Sequence, residues 1–118
     1  MAGFLTINNA KELYRLPTDK IVCIKGNGDY SVIMMADAKS YTVTLQLGQL
    51  EEMLGNQLPS NNRDMVRIGK SLIINLGYLT YINPAKKQIK LSDCQSFEFN
   101  EQASKEALIE LKNYLGTL

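Results

Sequence analysis

Asp64-Met65-Val66-Arg67-Ile68-Gly69-Lys70-Ser71-Leu72-Ile73-Ile74-Asn75 is the stretch on which the reading of this chain turns. An apolar, alternating start (Met65, Val66, Ile68) meets Gly69-Lys70-Ser71, which cannot easily continue a ladder, and a dense apolar trio follows, stopped by Asn75. The pattern predicts a buried strand that delivers a polar, cationic corner to the surface, with a buried anchor on its far side. Arg67 and Lys70 then stand on a rigid frame.

The segments on either side have the same β character. Downstream, Tyr78 to Ile82, Gln88 to Leu91 and Gln95 to Phe99 are β-branched, aromatic or strictly alternating, and a basic turn, Asn83-Pro84-Ala85-Lys86-Lys87, separates the first two. They predict an antiparallel meander. Asn100 is a good helix N-cap with Glu101 in the first turn, and Ala103, Ala107, Leu108, Leu111 and Leu115 recur at helical spacing until Gly116. Upstream, a polar loop from Gln57 to Asn62 follows a short amphipathic helix carrying Leu45, Leu47, Leu50, Met53 and Leu54, which Gly55 is placed to end. Before it, Ile21-Val22-Cys23-Ile24 reads as a strand buried on both faces. Tyr30 to Met35 and Ser40 to Val43 continue a meander, and Phe4 to Ile7 with Glu12 to Leu16 form an opening hairpin. No internal repeat or low-complexity tract interrupts the pattern, so residues 1–118 read as a single, mainly β domain with a covering helix and a C-terminal helix.

Composition narrows the function classes. With 45% apolar and 21% charged residues over 118 positions, the chain has an ordinary globular make-up and enough length for one core. Thirteen Lys and Arg against twelve Asp and Glu leave a net charge of +1, so any nucleic-acid site must be a local patch. Cys23 and Cys94, each within a strand-like segment, read as small buried hydrophobes in a reducing compartment. No apolar run approaches the roughly 20 residues that a bilayer requires, and a soluble, cytoplasmic protein without membrane contact is expected.

Histidine is absent, which removes the commonest general base and the commonest metal ligand together. Glu51-Glu52 are helix neighbours that point apart and read as a solvated face. Gly26-Asn27-Gly28 lacks the third glycine and following helix of a dinucleotide loop. Gly69-Lys70-Ser71 ends like a phosphate loop, but Asp64 stands where its first glycine is needed. No catalytic residue, metal site or cofactor is expected. Lys25 to Asp29 reads as a hairpin turn, or as a glycine-rich tip able to enter a DNA groove. Arg67, Lys70, Lys86, Lys87 and Arg63 read either as surface solubility or as phosphate contacts.

Val66-Arg67-Ile68-Gly69-Lys70-Ser71-Leu72-Ile73-Ile74-Asn75 resembles the central signature of the LytTR DNA-binding domains, which end many bacterial response regulators. Agreement continues in family order through Pro17 to Lys25, Asn27-Gly28-Asp29-Tyr30, Thr42 to Leu54, Tyr78 to Ile82, Gln88 to Leu91 and Phe97 to Asn100. The resemblance implies an elongated stack of short antiparallel sheets with brief helices. It also implies a transcriptional regulator that reaches successive major grooves of double-stranded promoter DNA through loops, bending the duplex. Carried over by position, the contact loops are Asn27 to Ser31 (Asn27, Asp29, Tyr30 and Ser31), Gly69-Lys70-Ser71, and Asn100 to Gln102 at the start of the last helix. Arg67 supports the middle loop or touches phosphate, and Lys86 and Lys87 touch phosphate. Family members usually carry His-Arg or His-Asn where Gly69-Lys70 stand, and often an arginine near Glu101-Gln102, although Gln102 has the donors and acceptors to pair with adenine. Binding as a homodimer to paired sites is one expectation. A second function class stays open: a protein-interaction module or antagonist of a regulator that kept the fold with weak or no DNA contact.

Overall fold

The computed structural model describes residues 3–57 and 64–116, so Arg63 and most of the polar loop before the central stretch lie outside the described residues. Among the described residues, strands β1 (Phe4–Asn8) and β2 (Leu13–Pro17) pair as the opening hairpin. Strands β3 (Ile21–Asn27), β4 (Tyr30–Met35), β5 (Ser40–Val43), β6 (Met65–Ile68) and β7 (Leu72–Asn75) form one antiparallel sheet in the order β5-β4-β3-β7-β6. A third sheet, in the order β10-β9-β8, joins β8 (Leu79–Asn83), β9 (Gln88–Ser92) and β10 (Glu98–Gln102). Helix α1 (Leu47–Gln57) and helix α2 (Lys105–Gly116) complete the chain. The whole measures 43 × 32 × 29 Å, longer along one axis, as the stacked-sheet expectation requires.

The apolar run at the start of β3 explains this layering. Ile21, Val22, Cys23 and Ile24 are all fully buried, so β3 must be covered on both faces. Ile21 and Ile24, with Ile33, Ile73, Leu5 and α1's Leu50, belong to one core. Val22 and Cys23, with Leu72, Ile74, Ile89, Leu91 and α2's Leu108, belong to the other. Strict alternation would send Val22 and Cys23 to opposite faces, but a register shift between Ile21 and Cys23 turns both the same way. Burying each such Ile or Val contributes about 1.5–3 kcal/mol, so the central sheet is the rigid part from which the turns project.

Asn75 closes the central stretch for a specific reason. It is a buried polar residue, and its Nδ2 donates to the Ile21 carbonyl at 2.9 Å while its Oδ1 accepts from the Gly77 amide at 2.9 Å. One side chain thus ties the end of β7 to the start of β3. Gln57 performs a similar task at the end of α1, accepting from the Thr6 amide at 2.8 Å and donating to its carbonyl at 3.1 Å.

Several expectations need correction. Leu45 lies before α1, which begins at Leu47, and the strand expected over Gln95 to Phe99 begins instead at Glu98. Gly55 does not end α1, which runs on to Gln57, where those two bonds hold its last turn. Cys94 is exposed in a turn with a positive φ of 64°, not buried in a strand, because the Asp93 carboxylate folds the chain there around its own acceptors. Asn100 is not a helix cap, for Asn100 to Gln102 pair with Lys90 to Gln88 as the second half of β10. The cap is Ser104, whose Oγ accepts from the Ala107 amide at 3.2 Å.

Candidate nucleic-acid interface

The antiparallel pairing Lys25↔Leu72 sets the end of β3 beside the start of β7. The Gly28-Asp29 tip and the turn 69–71 therefore project from the same end of the five-stranded sheet. Their connection is direct: the Gly26 amide donates to the Ser71 carbonyl at 2.8 Å. The start of α1 packs close over Gly26, since a Cβ placed there would stand 2.9 Å from Leu47 Cβ, so only glycine fits without movement.

In the middle turn, Gly69 has φ +63°, a left-handed conformation that costs other residues strain. Arg67 lies behind the turn and holds it. Its Nε donates to the Gly69 carbonyl at 3.3 Å, its Nη2 to the Lys70 carbonyl at 2.9 Å, and its Nη1 to Glu51 Oε1 at 3.0 Å. Three of the five guanidinium N–H donors go to two carbonyls and a carboxylate, so Arg67 supports the middle turn from behind. Glu51 is its anchor on α1. Lys70 and Ser71 are left exposed beyond this brace.

At the tip, Asn27 and Tyr30 are exposed and tied to each other, with Asn27 Nδ2 donating to the Tyr30 hydroxyl at 2.6 Å. Asp29 is exposed and accepts from Gln46 Nε2 at 3.4 Å. Ser31 was expected to contact DNA, but it is fully buried and its hydroxyl donates to the Leu45 carbonyl at 2.8 Å. It falls in phase with buried Ile33 and Met35 on β4, and that parity was readable in the sequence.

Along β10, Asn100 and Gln102 face solvent while Phe99 and Glu101 alternate inward. Glu101 pairs with Lys25 at 3.5 Å, and Lys25, Gly26, Ser71, Asn100, Glu101 and Gln102 border one concavity of about 400 Å³. Burial, and next the Glu101 carboxylate, push the Cys23 thiol up to about 12, with Lys25 opposing. The Lys86-Lys87 turn is exposed just beyond this strand end, because the Ala103 amide donates to the Lys87 carbonyl at 3.3 Å.

Correcting the helix start brings in a cation that the sequence reading missed. Lys105 is exposed in the first turn of α2, and a Cβ on Gly69 would lie 3.9 Å from Ala107 Cβ, so that turn adjoins the middle loop. The signal was Ser104 directly before Lys105, a cap residue as good as Asn100. Tip, middle turn and helix start thus form a row with Lys70 near its centre.

The family model for the LytTr DNA-binding domain matches residues 11–116. The chain belongs to this family of DNA-binding domains. LytTR is a family of DNA-binding domains and not of enzymes. Among solved structures, a Bacillus cereus chain described as the LytTr DNA-binding domain of a methyl-accepting/DNA response regulator is similar over 97% of both chains, at 16% identity and a TM-score of 0.64. That likeness concerns the LytTR fold. No curated protein matches the chain. Among the described residues, no helix is long and apolar enough to cross a membrane, and no group of three or more His, Cys, Asp or Glu could hold a metal.

Proposed function

We propose that this LytTR domain is a sequence-specific transcriptional regulator that reads double-stranded promoter DNA with the row formed by the Asn27–Tyr30 tip, the Gly69–Ser71 turn and the end of β10 running into α2. The observation that carries the reading is the Arg67 brace. An arginine spent on fixing two carbonyls of an exposed turn leaves Lys70 and Ser71 on a preorganised loop, and preorganisation is what base readout needs. Lys70 has the donors for guanine, Asn27, Asn100 and Gln102 have those for adenine, and the exposed Lys86, Lys87 and Lys105 carry the charge for phosphate. The row crosses about three strand spacings of about 4.8 Å plus about 10 Å to the helix. Long side chains at its two ends extend it toward adjacent grooves of a bent duplex. Asp29, held by Gln46, can accept from a cytosine amine.

A mobility-shift titration against the chain's own upstream region, at two salt concentrations, tests this. Binding that weakens steeply with salt yet exceeds that of a scrambled duplex is expected, and its stoichiometry reads whether two copies occupy paired sites. Absence of binding at low salt, with a stable complex formed with a full-length regulator, would establish the interaction-module reading instead.

A further inference from the structure

Lys25 and Glu101 sit on strands of different sheets, and their ion pair spans the space between them. The Glu101 side chain retains only 13% of its exposure, whereas Lys25 retains 43%. A carboxylate withdrawn so far from water is costly unless it is paired, and its ion-pair partner among the described residues is Lys25. Separation would leave the withdrawn Glu101 carboxylate uncompensated, so the pair favours one place for the Lys25 ammonium: on the rim of the concavity bordered by Gly26, Ser71, Asn100 and Gln102, between tip and middle turn. An ammonium carries three donors, and one carboxylate oxygen at 3.5 Å leaves the rest for a ligand.

We propose that Lys25 is a further DNA-contacting residue, between the tip and the middle turn of the interface, and that Glu101 is its positioning residue. This rests on the regulator reading above. It gives Glu101 an effect opposite to its sign: near a polyanion, loss of a negative charge ordinarily strengthens binding, whereas here it releases Lys25 from its place.

The test uses the full chain, a duplex that the unaltered chain selects from a random pool, and a scrambled duplex of the same composition. Lys25→Met is expected to weaken both complexes and to lower the slope of log affinity against log salt by about 0.9, the value for one lost phosphate contact. Glu101→Gln is expected to leave scrambled binding equal or stronger while weakening selected binding about fivefold, because a preorganised donor is lost. The exchange Lys25→Glu with Glu101→Lys is expected to restore the thermal midpoint and not the discrimination. Parallel strengthening of both complexes by Glu101→Gln, an unchanged salt slope for Lys25→Met, or full discrimination in the exchanged pair would each overturn the proposal. If Glu101→Gln unfolds, Lys25→Met beside Lys25→Arg decides: Arg is expected to keep the salt slope that Met loses, and equal slopes would overturn the assignment. Failure of the unaltered chain to enrich any duplex is a different result, and it would remove the regulator reading itself.

Discussion

At one end of the molecule the turn 69–71 leaves Lys70 and Ser71 to solvent while Arg67 holds its carbonyls from behind. At the far end of β9, Asp93 accepts from the amides of Gln95, Ser96 and Phe97 at 2.9, 2.7 and 3.2 Å and from the Ser96 hydroxyl, so that turn spends its polar groups on itself. Both are short polar turns between strands. What separates them is where the hydrogen-bonding capacity goes: a brace outside the loop leaves its tip free for a partner, and a brace within the loop uses the tip up.

The largest expected effect comes from removing the external brace. Arg67→Met should cost specific DNA binding about 1.4–2.8 kcal/mol, that is, tenfold to a hundredfold, read by titration of the selected duplex. Asp93→Asn should leave DNA binding unchanged, and a comparable loss there would erase the distinction between the turns. A smaller effect belongs to the far turn. The Ser96 hydroxyl and then the backbone amides hold the Asp93 carboxyl well below the usual 3.8. The stability it contributes is therefore present above that pH and lost as pH falls below it toward the folded value. Acid unfolding followed by circular dichroism should show a shallower limb in Asp93→Asn.

A thiol reagent sharpens the same contrast. Native protein should label at Cys94 in the far turn and not at Cys23, whose burial holds its thiol up to about 12, and denaturant should expose both. Smallest per residue is the effect expected at Lys86 and Lys87, proposed above as phosphate contacts: Lys86→Ala and Lys87→Ala should each lower the salt slope by about 0.9 or less and weaken all duplexes alike.

Most of the fold was legible because its cores are made by alternation and by one doubly buried strand. Ile21 to Ile24 declared a covered centre, and the Gly69-Lys70-Ser71 break declared the turn between β6 and β7. The end of the chain was misread where two good caps, Asn100 and Ser104, compete within four residues. Phe99 to Gln102 alternate as a strand does, and pairing with β9 settles the choice in favour of Ser104. Ser31 shows that a hydroxyl near a tip is not thereby a surface group; its phase with Ile33 outweighs its neighbourhood. The contact between Lys25 and Glu101 had no local sign at all, because it arises from two sheets packing. Support of the middle turn by Arg67 was expected, but its bond to Glu51 was hidden, since that partner is on a helix distant in sequence.

Whether the middle turn reads bases is decided at Lys70, by titrating the Lys70→Ala variant with the selected and the scrambled duplex. With the turn braced, Lys70→Ala lowers affinity for the selected duplex by about 1–2 kcal/mol and affinity for a scrambled duplex far less. Equal losses on the two duplexes would contradict base readout at the middle turn.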